Sequence, residues 1–137
     1  MTTEHFATGH KQRPATAAEA RGRVSELLVS ALGPVDTGSE ADVAVADALL
    51  VTSELVTNAL RHGGGVAAFA TTLTGDAVHI CVTDRSPELP QAPTTPGLRP
   101  GGFGWGLVRR LSRDVTVTPV DGGKTICAEI ALLRHTS

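Results

Sequence analysis

Apolar and polar positions fall into blocks with two different periods. Residues 17–32 and 40–62 carry apolar side chains at helical spacing. The runs 66–73, 77–83, 115–120 and 125–132 are short and rich in small, β-branched and apolar residues, as half-buried strands are. Thr16-Ala17-Ala18-Glu19 forms a capping box for the first helix, and Gly33-Pro34 stops it. Ser39 with Asp42 caps the second helix, which ends at His62 before Gly63-Gly64-Gly65. Gly75-Asp76 and Asp121-Gly122-Gly123 read as turns, so the first two and the last two strands are each expected to pair as a hairpin. A short helix over 103–112 lies between them. The order helix, helix, strand, strand, loop, helix, strand, strand predicts an α/β two-layer sandwich, a mostly antiparallel sheet with helices on one face. Residues 1–13 are polar and aperiodic and read as a loose tail, leaving 14–137 as a single domain. Residues 85–101 hold five of the eight prolines and show no period, the character of a long loop and often of a lid.

Composition narrows the function classes. A chain of 137 residues can bury one real core, and 41% hydrophobic with 19% charged residues is an ordinary globular balance. A formal net charge of −2 gives no global attraction to nucleic acid or an anionic membrane. Three Phe, one Trp and no Tyr make a base-stacking platform a poor fit. No apolar run reads as a membrane span and the N-terminus shows no signal-peptide core, so a cytoplasmic location is expected, without direct membrane or nucleic-acid contact. Cys81 and Cys127 sit in strand-like runs and are expected to be two small buried hydrophobes. His79 and Cys81 share a strand face but are too few to bind zinc.

Candidate chemistry concentrates in the second helix, where residues 54–62 read Glu-Leu-Val-Thr-Asn-Ala-Leu-Arg-His. Glu54, Asn58 and His62 stand at i, i+4 and i+8 and therefore lie along one stripe, with Asp47 in line seven residues earlier. Ala46, Leu49, Leu50, Val56 and Leu60 are expected to form the core stripe beside it. The polar row is either a solvated face or a functional one. A carboxylate can orient or deprotonate a nucleophile, and an amide oxygen one turn on can hold Mg²⁺.

Gly101-Gly102-Phe103-Gly104-Trp105-Gly106-Leu107 precedes the short helix. It is either a hinge or a place where bare backbone meets a phosphate at a helix N-terminus. It is not a dinucleotide fingerprint, because Leu107 stands where the third glycine belongs and no strand leads directly into it. Gly123-Lys124-Thr125 fails as a P-loop, since Thr118 occupies the earlier glycine position and a strand follows; it reads as a turn entering a strand. Asp84 ends a strand ahead of Arg85-Ser86-Pro87, either as a turn-initiating residue or as an acceptor for an exocyclic amine.

Taken in order, these four motifs resemble those of the GHKL (Bergerat-fold) ATPases, and within them the bacterial anti-sigma-factor serine/threonine kinases. The run from Glu54 to His62 resembles the family's N box, Asp84 the acid of its first glycine box, Gly102 to Leu107 the second box and Gly123 to Thr125 the third. The resemblance covers about residues 14–133. It implies that Glu54 is the general base and that Asn58 binds ATP through a Mg²⁺ ion. Asp84 would bind the adenine amine with support from Thr125. Gly102, Gly104, Trp105, Gly106 and Leu107 would meet the phosphates, residues 88–101 would form the ATP lid, and His62 and Ser86 would border the nucleotide. The first glycine box departs from Asp-x-Gly-x-Gly, with Ser86 and Glu88 in the glycine positions. No phosphoacceptor-histidine helix is visible, so a sensor histidine kinase is not expected. The implied function is an anti-sigma regulator that sequesters a sigma factor and phosphorylates a Ser or Thr of a STAS-type anti-anti-sigma antagonist, with room for a homodimer. The alternative is a non-catalytic ATP-binding interaction module.

Overall fold

A computed structural model of the chain describes residues 13–89 and 104–132. Its elements are α1 (Ala17–Leu32), α2 (Glu40–His62), β1 (Val66–Leu73), β2 (Ala77–Asp84), α3 (Gly104–Leu111), β3 (Asp114–Val120) and β4 (Gly123–Ala131). Both long helices start where their caps dictate. The Thr16 hydroxyl accepts from the Glu19 N–H at 3.1 Å, and the Glu19 carboxylate accepts from the Ala15 N–H at 2.8 Å. The Ser39 hydroxyl likewise accepts from the Asp42 N–H at 3.1 Å.

The two hairpins join through their inner strands into one antiparallel sheet of order β1-β2-β4-β3. Alternation along β2 and β4 sends Val78, Ile80, Val82, Ile126, Ala128 and Ile130 to the helix side, where they are buried. A register shift between Val66 and Ala68 changes the phase of β1, so that Val66 and Phe69 both face the core. Pro119 is tolerated because β3 is an edge strand. The helices α2 and α3 cover the sheet, and α1 packs on α2 through Ala20, Val24 and Leu28. The predicted α/β sandwich is the observed architecture.

Two expectations are corrected. The core face of α2 is Ala44, Ala48, Val51, Leu55, Val56 and Ala59, whereas Ala46, Leu50 and Leu60 are exposed. Apart from its polar row the helix carries more apolar positions than it buries, and Leu50 and Leu60 compete with the small residues for the core side; close packing against α1 and the sheet selects the stripe that contains the alanines. An 18-residue stretch of α2 reaches a mean hydropathy of 1.5, and the helix has the length of a membrane span. In the fold it serves as the core helix. Cys81 and Cys127 are not separate buried hydrophobes but a disulfide, half-buried on the sheet face away from the helices. They are directly opposed in the β2–β4 register with Cα atoms 4.1 Å apart, the closeness of an antiparallel cross-strand pair.

On the rim, Arg113 bridges Asp76 and Glu129, which together raise its pKa and tie the β1–β2 turn to the start of β3. All three are partly exposed, so the network contributes little to stability.

Candidate functional site

Two close approaches assemble the site. At the end of α2, the Gly63 carbonyl accepts from the Arg85 N–H at 2.7 Å, which hangs the helix terminus on the residue after β2. Asp84 then lies against the helix end so tightly that a Cβ on Gly63 would come within 2.6 Å of Asp84 Oδ2. Between one and three turns earlier, the N-terminus of α3 rests on the polar row. A Cβ on Gly104 would overlap Glu54 Oε1 and lie 3.8 Å from Asn58 Oδ1. A side chain there would have to displace the Glu54 carboxylate, so the first residue of α3 sits against that carboxylate with the Asn58 amide nearby. The partial positive charge of the helix N-terminus favours that carboxylate.

Glu54 and Asn58 are half-buried and thus held by their surroundings while still open to a ligand. His62, a turn further on, is exposed. On α3, Gly104 and Val108 are buried, Trp105 and Leu107 are half-buried, and Trp105 packs on the core. Gly106 is exposed and its α-carbon faces open space.

Asp84 ends β2 pointing to the helix side and is buried. Its Oδ1 accepts from the Ser86 N–H at 3.0 Å, and its Oδ2 is 2.8 Å from Lys124 Nζ. Lys124 also donates to the Ser86 carbonyl at 2.9 Å. The loop after β2 therefore turns on side-chain hydrogen bonds rather than on glycine, and the Ser86 hydroxyl continues it by accepting from the Glu88 N–H at 3.3 Å. Thr125 lies on the opposite face of β4, and its hydroxyl shares a 2.7 Å hydrogen bond with Thr83. The group that holds Asp84 is Lys124, not Thr125.

The arrangement thus has two poles along α2. One is a carboxylate and an amide oxygen beneath a helix N-terminus, suited to phosphate and its counter-cation. The other is a buried carboxylate beside a lysine, suited to a polar heterocycle edge.

A profile of the histidine kinase-like ATPase domain matches residues 11–130. This chain belongs to that family. Among solved structures, the blue-light activated histidine kinase EL346 of Erythrobacter litoralis superposes with a TM-score of 0.51 and 22% identity over 85% of this chain. The histidine kinase domain from the same Erythrobacter litoralis kinase gives a TM-score of 0.49 and 21% identity over 83% of this chain. The chain spans 41% and 63% of those two solved chains. No curated protein sequence matches it.

For a histidine kinase-like ATPase domain, ATP binding is implied, commonly with Mg²⁺. The phosphate pole fits such a ligand. Mg²⁺ keeps most of its shell for water and phosphate oxygens and needs only one or two protein oxygens, which Asn58 can supply. Among the described residues there is no cluster of three or more His, Cys, Asp and Glu that would build a protein-only metal cage. Of the residues expected to line the site, Gly102 and the lid 88–101, beyond residue 89, lie outside the described residues. Sequence alone gives Gly63 and Lys124 no individual role: the triple glycine reads as a helix stop, and Lys124 falls within a failed P-loop and the segment that resembles the third glycine box. What places Lys124 opposite Asp84 is the β2–β4 register, which no local sequence pattern announces.

Proposed function

We propose that this ATPase domain is an anti-sigma regulator. It binds MgATP, captures a sigma factor in the cytoplasm, and transfers the γ-phosphoryl group to a Ser or Thr of a small STAS-type antagonist. The observation that carries the kinase part is the seating of Gly104 on Glu54 and Asn58, which joins a potential base, a Mg²⁺ ligand and a phosphate-binding helix terminus. Bound through Asn58, Mg²⁺ would neutralise phosphate charge. Glu54 takes the proton of the attacking hydroxyl as its oxygen bonds to the γ-phosphorus; the bond from that phosphorus to the β–γ bridging oxygen breaks, and ADP leaves. Such a reaction needs positioning and charge neutralisation more than covalent help from the protein. The regulatory partners rest on the sequence resemblance, since a nucleotide site does not specify what it serves.

The hydrogen-bonded loop at Asp84, Ser86 and Glu88 favours a second reading, an ATP-dependent binding module without transfer. One experiment separates them. The full chain is incubated with γ-labelled ATP and antagonists encoded in the same genome. The kinase reading expects an acid-stable label on one antagonist, whereas nucleotide binding without transfer supports the binding module. An acid-labile label would point instead to histidine as the acceptor. Sigma factors retained with ATP and lost without it would support the regulatory role.

A further inference from the structure

Asp84 and Lys124 face each other in the β2–β4 register and meet on the helix side of the sheet, with side chains only 8% and 7% exposed. A lysine is rarely this buried, and an ion pair in such a place is no more stabilising than a well-packed apolar pair. Its position at the base pole of the site suggests a different use. Asp84 Oδ1 accepts from Ser86 and Oδ2 from Lys124, while Nζ gives one hydrogen to Asp84 and one to the Ser86 carbonyl. A carboxylate oxygen can accept twice and an ammonium can donate three times. Among the described residues, the pair therefore keeps acceptor positions on Asp84 next to one unspent donor on Lys124.

We propose that Lys124 is a specificity-determining residue of the nucleotide site: Asp84 accepts from the exocyclic N6 amine of adenine while Lys124 donates to ring nitrogen N1. The inference rests on the ATP-binding reading above. The adenine edge offers a donor beside an acceptor, and the pair answers with an acceptor beside a donor. Guanine in the same pose would set its O6 against Asp84 and its N1–H against Lys124. Charge gives a second reason. The amine of adenine is neutral and cannot compensate a buried carboxylate, whereas the Lys124 ammonium, 2.8 Å from Asp84 Oδ2, does so.

The test is a calorimetric cycle on the full chain with two probes, MgATP and Mg-1-deaza-ATP, in which a C–H replaces N1. The proteins are the native chain, Lys124→Met and Lys124→Gln, with folding of each checked by circular dichroism. The native chain should bind 1-deaza-ATP roughly 10- to 100-fold more weakly than ATP, the range for losing a hydrogen bond to a charged group. Lys124→Met should bind ATP more weakly and bind the two nucleotides alike, and Lys124→Gln, which keeps an N–H donor, should retain part of the discrimination. Equal affinity of the native chain for both probes would overturn the proposal even if neither variant folds. So would full discrimination in Lys124→Met, or tighter ATP binding there, which would make the pair a plug. If the native chain binds neither probe, it is the nucleotide reading itself that fails.

Discussion

Glu54 and Asn58 are adjacent on one stripe, and the proposed reaction gives them separable tasks. Replacing Glu54 by Gln keeps size and hydrogen bonding and removes basicity. Phosphoryl transfer should fall by roughly 10²- to 10⁴-fold, while MgATP affinity changes far less. Single-turnover transfer and nucleotide titration of Glu54→Gln check this together, and undiminished transfer would take Glu54 out of the base role. Gly104 is the complementary case. Its substitution by Ala puts a methyl into the Glu54 carboxylate, so α3 must shift or Glu54 must leave its rotamer. The carboxylate is the end of a flexible, half-buried side chain, so the expected loss of stability by urea denaturation is about 1 kcal/mol or less, with a drop in ATP affinity and transfer as Glu54 is displaced. The stripe itself could be read from spacing alone. Its neighbours could not: the contacts of Gly104 with Glu54 and of Gly63 with Asp84 join segments far apart in the chain, and no local pattern announces them.

The helices and hairpins were readable because their ends are marked by chemistry that acts locally. Thr16, Ser39 and the glycines after residues 32 and 62 bound the helices, and two-residue periodicity marks β2 and β4. The buried side of α2 was not readable, because Leu50 and Leu60 are as apolar as the residues that are buried and tertiary packing alone decides between them. The Cys81–Cys127 disulfide and the Lys124–Asp84 pair share a different obstacle. Both depend on the register in which β2 meets β4, a pairing between two hairpins rather than within one. For α3, the consequence is a built-in reporter. Trp105, the only tryptophan, is half-buried in its first turn, one residue from the contact with Glu54. Nucleotide at the N-terminus of α3 should change its emission saturably with MgATP, and Asn58→Ala should remove the change. A constant emission in the presence of calorimetrically bound nucleotide would separate α3 from the phosphate site.

In the whole molecule, the sheet and α2 hold two poles: Asp84 with Lys124 at the strand ends, and Glu54 with Asn58 on α2 under α3. The Gly63–Asp84 and Gly104–Glu54 approaches and the Asp84–Lys124 pair set this layout. The regulatory partners are a further step that depends on it. The most direct measurement is therefore a calorimetric titration of the full chain with MgATP. Saturable binding at a single site, weakened when Mg²⁺ is chelated, is the predicted result. No binding heat up to millimolar MgATP, with the chain shown to be folded, would contradict the account at its centre.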